Sequence, residues 1–176
     1  MKTLSHGICL LLSLCLLVVG LSSPLAGAAT TSLRIPATAL RPQNSSVTFS
    51  DYQDGKGMYA TSNPTVIWSA PVYLPQGAVI TSVRMFYIDN NQTENCVGAF
   101  IFRDLIITPT TYANSSSGSS SSVAYVDINV PHTVDSSKYA YTLAWVPTVA
   151  DTSMVLIGFQ IFYTPPPGRA AVIPLY

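Results

Sequence analysis

Hydrophobic and polar side chains alternate along three segments in the C-terminal half of the chain, which are Val123–Val130, Tyr139–Val146 and Met154–Tyr163. A period of two residues is typical of β-strands whose two faces meet different surroundings. We therefore predict three strands, each with one buried face. The residues assigned to the buried faces are Ala124, Val126, Ile128 and Val130, then Tyr139, Tyr141, Leu143 and Trp145, then Val155, Ile157, Phe159, Ile161 and Tyr163.

Five further strands are indicated by short runs rich in β-branched and aromatic residues that end at turn-forming residues. They are Ser46–Ser50, Met58–Thr61, Thr65–Tyr73, Ala78–Ile88 and Cys96–Phe102. No segment after the N-terminal 28 residues carries a convincing helical stripe. The expected fold is a single antiparallel all-β sandwich of about eight strands, most simply a jelly roll.

The N-terminus has the pattern of a secretory signal peptide, which we assign to residues 1–28. Lys2 precedes an apolar run, Ile8–Leu21, and the small residues of Ala26–Ala28 suit cleavage. Two alternatives are an uncleaved membrane anchor and a lipoprotein modified at Cys15. The run is shorter than a membrane-spanning helix requires, and no later apolar stretch is long enough either. The expected location is therefore extracellular or at the cell surface, with no membrane span after cleavage.

The remaining chain divides into an extended N-terminal arm or linker (29–44), the β-sandwich (45–164) and a Pro-rich C-terminal tail (165–176). Pro36 and Pro42 favour an extended arm, because proline removes a backbone donor and restricts the preceding residue. The arm and the tail could pair with a neighbouring molecule or cover the sheet edges of their own domain.

The stretch Leu74–Asn91 reads LPQGAVITSVRMFYIDNN. It begins with an LPxGAxITS turn and strand and continues into an aromatic strand that ends in YxDN. This arrangement resembles a pattern in secreted bacterial jelly-roll-like β-domain proteins of poorly defined function. The resemblance covers about Thr65 to Tyr163. It implies an extracellular β-domain and carries no active site that could be transferred to this chain.

Charged residues are sparse and balanced. Lys and Arg number eight and Asp and Glu number eight, which is 9% of residues, against about 25% in typical globular domains. A chain without a basic surface is not expected to bind nucleic acid. Low charge also offers little electrostatic protection against self-association.

The mature chain is poor in groups that perform chemistry near neutral pH. His132 is its only histidine, and no nucleophile-elbow, phosphate-binding or zinc-binding spacing accompanies it. Cys96 is the only cysteine after the signal peptide, and we expect a buried thiol, with an intermolecular disulfide as the alternative. We predict that the protein is not an enzyme and holds no cofactor.

The candidate binding residues lie in loops and at exposed aromatic positions. Asp51 and Asp54 form an oxygen-rich loop that could hold calcium. The weaker candidates for ligand binding are Tyr112, Trp68, Asp89 and Asn91. The candidates for N-glycosylation, from the Asn-x-Ser/Thr sequence, are Asn44, Asn91 and Asn114.

The sequence is compatible with two functions. The first is a non-enzymatic extracellular structural protein that self-associates through its terminal arms into a filament, sheath or surface layer. The alternative is a secreted carbohydrate- or surface-binding β-sandwich module, with glycans as its partners. A sandwich fold serves both roles, so only a site can separate them.

Overall fold

The computed structural model describes residues 29–104, 108–118 and 120–167, which form eleven strands and one short 3-10 helix at Ala37–Ala39. The strands are β1 (Thr31–Pro36), β2 (Arg41–Pro42), β3 (Phe49–Tyr52), β4 (Gly57–Ala60), β5 (Trp68–Val72), β6 (Val79–Asp89), β7 (Val97–Arg103), β8 (Thr110–Ser115), β9 (Ser120–Thr133), β10 (Ala140–Val146) and β11 (Met154–Thr164). The predicted signal peptide (1–28) and most of the predicted tail lie outside the described residues.

The strands form two antiparallel sheets. Sheet A has the order β3-β4-β11-β6-β9, and β1 also pairs with β11. Sheet B has the order β2-β5-β10-β7-β8. If β2, β3 and β4 are set aside, the orders become β1-β11-β6-β9 and β5-β10-β7-β8, which is the strand order of a jelly roll. The prediction of an antiparallel β-sandwich of the jelly-roll type is confirmed.

The core lies between the two sheets and is filled by the inward residues of each. Trp68 of β5 and Trp145 of β10 are fully buried, with ring centroids 6.1 Å apart. The buried face predicted for β10 is confirmed at Tyr141, Leu143 and Trp145. Of the four positions predicted for β9, Ile128 and Val130 are fully buried, whereas Ala124 and Val126 are half-buried.

The single buried face predicted for β11 is only partly right in the first half of that strand, where Val155 is buried as predicted but outside the main core cluster, and Ile157 is half-buried. The core takes Met154 and Leu156 there, and Phe159, Ile161 and Tyr163 further along. The register against β6 shifts between Leu156 and Gly158, so one extra residue, Ile157, lies in β11. A bulge of this kind exchanges the two faces of a strand, which a strict period of two cannot anticipate.

The segment predicted as an N-terminal arm contributes two strands to its own sandwich. β1 pairs with β11 from Thr31 opposite Tyr163 to Pro36 opposite Gly158. β2 pairs with β5 in the other sheet. Of the two uses considered for this arm, the structure shows the intramolecular one. β8, at Thr110–Ser115, has no counterpart among the eight strands predicted from the sequence.

Gly158 is the point where the bulge and β1 meet. Its φ of +152° is rarely adopted by residues with a side chain, and a Cβ placed there would lie 2.7 Å from the carbonyl oxygen of Ile35. Glycine is therefore required at this position for both its backbone conformation and its lack of a side chain.

We expect Gly158→Ala to lower the free energy of unfolding by ~3 kcal/mol or more, because the cost of the strained backbone and the cost of the steric clash with Ile35 are summed. Gly55→Ala is the matched control, since Gly55 also has a positive φ (+85°) but nothing within 4 Å of an added Cβ. The control should cost only ~1–2 kcal/mol. Urea denaturation measures both, and equal costs would contradict a close approach of β1 at Gly158.

Candidate ligand-binding face

The outer face of sheet A carries a row of four polar side chains across four strands. Arg34 of β1 is paired with Gln160 of β11, Gln160 with Arg84 of β6, and Arg84 with Asp127 of β9. Neighbouring strands lie about 4.8 Å apart, so this polar row spans about 14 Å. The residues beside each of these in sequence are mainly buried in the core, so the row faces outward.

Aromatic side chains flank the polar row on both sides. One neighbouring row contains Pro36, Gly158, Phe86 and Tyr125 in register. The other contains Ser32, Phe162, Ser82 and Asn129. Tyr125 is 56% exposed, while Phe86 and Phe162 are half-buried. The face therefore presents apolar rings on either side of hydrogen-bonding groups.

Arg84 is held in the centre of this face by charge and by stacking. Its Nε and Nη2 donate to Oδ1 and Oδ2 of Asp127 at 2.7 and 2.9 Å, which is a bidentate ion pair. Its guanidinium carbon also lies 3.9 Å from the centre of the Tyr125 ring and 5.4 Å from that of Phe162. Such a planar group stacks well on aromatic rings. The central groups are thus fixed in place.

The ion pair changes the acid–base behaviour of both partners. The hydrogen bonds from Arg84 hold the pKa of Asp127 below its usual value, and those to Asp127 raise the pKa of Arg84. Asp127 is therefore ionised at neutral pH. The stability that this ion pair contributes is fully present above the ordinary pKa of Asp127, and it is lost as the pH falls through the lowered pKa that Asp127 has in the folded protein.

A shallow depression of about 380 Å³ lies on the same face beside the polar row. Its lining includes Arg34, Pro36, Phe86 and Gly158. Gly158 lies between Pro36 and Phe86 in the cross-strand register, and an added Cβ there would meet the backbone of β1 rather than open solvent. The room for part of a ligand is the depression itself.

Two of the residues predicted to bind a ligand are buried instead. Trp68 is 0% exposed and packs against Trp145, with the edge of the Phe49 ring against it. Asp89 is 1% exposed, and its carboxylate accepts hydrogen bonds from the hydroxyl of Ser116 and the backbone of Asn91. These placements correct the interpretation of both as surface residues. Trp68 is part of the core, and Asp89 anchors a turn.

The other two candidates are half-buried and lie away from the polar row. Tyr112 is on β8 at the edge of sheet B, with its ring 6.1 Å from that of Phe102. The Oδ1 atom of Asn91 accepts hydrogen bonds from the backbone of Thr93 and Glu94, so it supports the turn after β6. Of the four predicted residues, Asp89 and Asn91 meet in the turn after β6, and the structure does not join this pair to Trp68 or Tyr112.

The predicted calcium residues lie at the β3–β4 hairpin. Asp51 is on β3, Asp54 is in the turn with a φ of +58°, and both are exposed. In residues 29–104, 108–118 and 120–167, no group of three or more His, Cys, Asp and Glu side chains is placed to hold a metal ion. Calcium binding at this hairpin stays a prediction.

His132 and Cys96 are both engaged in packing. The His132 ring stacks on Phe102 at 4.1 Å, its Nε2 lies 3.1 Å from the Tyr141 hydroxyl, and burial lowers its pKa. Cys96 is a free, buried thiol, as predicted, and burial raises its pKa. A thiol held in its protonated form is a weak nucleophile.

The three glycosylation candidates differ in their surroundings. Asn44 and Asn114 are exposed, whereas Asn91 is half-buried. The side-chain nitrogen of Asn114 donates to the carbonyl oxygen of Asp127 at 3.0 Å. Modification of any of them stays a prediction. Among the described residues, no helix is long and apolar enough to cross a membrane.

No family model matches the chain, and no curated protein matches it. The resemblance stated for Leu74–Asn91 therefore stays a prediction.

Solved structures with a similar fold exist at low identity. One is the C-terminal family 6 carbohydrate-binding module of the laminarinase LamC from Zobellia galactanivorans, with 14% identity, a TM-score of 0.45, and coverage of 74% of this chain and 98% of that one. A second is a family 29 carbohydrate-binding module with cellulohexaose, at 11% identity, a TM-score of 0.45, and coverage of 77% and 88%. A third is the Cry4Aa toxin of Bacillus thuringiensis, at 12% identity and a TM-score of 0.47, with coverage of 76% and 23%. These likenesses concern the fold alone.

The ion pair at the centre of the face can be tested by titration. We expect Arg84→Gln to raise the pKa of Asp127 towards its ordinary value, because the hydrogen bonds from Arg84 are what lower it. Arg34→Gln is the control, since Arg34 lies three strands from Asp127 and should leave that pKa unchanged. Carboxyl NMR titration of Asp127 measures both. An unchanged pKa in Arg84→Gln would contradict the pairing.

Proposed function

We propose that this protein is a secreted, non-enzymatic carbohydrate-binding β-sandwich module that binds its ligand on the outer face of sheet A. The observation that carries the proposal is the polar row, Arg34, Gln160, Arg84 and Asp127, flanked by the rings of Phe86, Tyr125 and Phe162. The secreted location rests on the predicted signal peptide.

The chemistry of sugar rings matches this arrangement. A pyranose ring has faces of C–H groups and a rim of hydroxyl groups that both donate and accept hydrogen bonds. An exposed aromatic ring such as Tyr125 can pack on the C–H face. Guanidinium, amide and carboxylate groups can each bond two neighbouring hydroxyls, and together they supply both donors and acceptors. Arg84, Gln160 and Asp127 provide one group of each kind.

The side chains of the polar row are also preorganised for binding in the free protein. Arg84 is already restrained by Asp127 and Tyr125, and the Nε2 atom of Gln160 donates to the hydroxyl of Ser32 at 2.9 Å. Side chains that are ordered in the free protein lose less conformational entropy on binding. The strands beneath them are hydrogen-bonded on both sides in β6 and β11, so the support is rigid.

The competing hypothesis, a self-associating filament subunit, has less support. It relied on terminal segments that a neighbour could accept as strands. The N-terminal segment instead pairs with β11 of the same chain along six residues. Donation of β1 to a neighbour would first require these hydrogen bonds to break. The recognition role is supported by the outer face of sheet A, which the structural role does not explain.

The test is a binding panel of soluble neutral and acidic polysaccharides, measured by affinity electrophoresis and titration calorimetry on the chain from Ala29 onward. We expect the wild type to bind at least one polysaccharide and Tyr125→Ala to weaken that binding about tenfold or more, as for loss of a central aromatic contact (~1.4 kcal/mol). Tyr73→Ala is the comparison variant, because Tyr73 is 67% exposed and follows β5 in the other sheet, where it lines a separate depression with Arg34 and Pro36.

Thermal unfolding of both variants should stay close to that of the wild type, since both side chains are exposed. Binding that survives Tyr125→Ala but is lost in Tyr73→Ala would place the site in the depression that Tyr73 lines with Arg34 and Pro36, away from the outer face of sheet A, and would contradict the proposal. Absence of binding to every member of the panel would reject a carbohydrate-binding function for this face.

A further inference from the structure

Arg34 ends the polar row without a nearby acid. It is exposed on β1, and the one ion pair found in the described part of the chain joins Arg84 to Asp127. The cross-strand register separates Arg34 from Asp127 by three strand spacings, about 14 Å. At physiological salt the Debye length is about 8 Å, so Asp127 does little to neutralise Arg34.

The charges of the polar row therefore do not cancel. Arg84 and Asp127 neutralise each other, while Arg34 leaves one positive charge at the β1 end. Few charged residues are present in the whole chain, at 9%, so an exposed arginine among aromatic residues is a distinctive feature of this surface. Gln160 beside it adds an amide but no negative charge.

The depression next to Arg34 suits a ring that carries an acid group. Besides Arg34, its lining includes Pro36, Phe86, Gly158 and Phe159. An apolar recess can take the C–H face of a sugar ring, while the guanidinium of Arg34 at its edge can bond both oxygens of a carboxylate. The hydroxyls of a neutral sugar could accept hydrogen bonds from Arg34 but would bring no opposite charge.

We propose that the ligand of this face is an acidic polysaccharide whose uronic acid residues place a carboxylate against Arg34 and a ring in the depression beside it. This inference rests on the proposed carbohydrate-binding function. Arg34 then selects the class of polysaccharide, while Tyr125 and Arg84 bind sugar rings of either class.

The experiment measures binding of the chain from Ala29 onward to polygalacturonate, alginate and hyaluronate, and to neutral laminarin, xylan and galactan. We expect at least one carboxylated polymer to bind, and Arg34→Gln to weaken that binding about tenfold. Arg103→Gln is the charge-matched control, because Arg103 is exposed on β7 in sheet B. It should leave the affinity unchanged. Methyl esterification of the carboxylates should weaken wild-type binding as much as Arg34→Gln does.

The outcomes separate this inference from the proposed function. Binding to neutral polymers alone would overturn the acidic ligand and leave carbohydrate binding intact. Equal losses in Arg34→Gln and Arg103→Gln would show diffuse charge attraction, which also overturns a role for Arg34. Binding to no polymer at all would reject both. Arg34 is exposed, so its replacement should leave the thermal unfolding temperature unchanged.

Discussion

The one-residue bulge at Ile157 and Gly158 of β11 sets the register on which the outer face of sheet A depends. β11 pairs with β1, β4 and β6, and the bulge exchanges its faces between Leu156 and Phe159. Beyond the bulge, Gln160 faces outward and lines up with Arg34 and Arg84. A strand without the extra residue would turn Gln160 into the core, where an amide is costly to bury. The same bulge brings β1 close at Gly158.

The fold and the site are connected through β1. Its pairing with β11 covers one side of a central strand, so β1 takes the place of β11 at that edge of the sheet. The same strand carries Arg34 to the end of the polar row. One segment therefore extends sheet A and completes the proposed binding face, and Thr31–Pro36 is part of the sandwich rather than a projecting arm.

The buried face of β10 could be predicted from the sequence, whereas the polar row required knowledge of how the strands pair. The alternation at Tyr141, Leu143 and Trp145 identified a buried face correctly because β10 has no bulge. Trp68 was misjudged because an aromatic residue near a strand end has the same local pattern whether it is buried or exposed. The polar row joins residues 34, 84, 127 and 160, whose alignment depends on pairing between distant strands and on one bulge. A glycine within a strand was the one local signal of that bulge.

We propose that the ligand binds on the outer face of sheet A. Backbone and side-chain NMR shift mapping of the labelled chain tests this, by titration with an oligosaccharide cut from the polysaccharide that binds most tightly. We expect the largest shifts at Arg34, Arg84, Tyr125 and Gln160, with sheet B residues little changed. Shifts concentrated around Tyr73 and Tyr139, with the polar row unaffected, would contradict it.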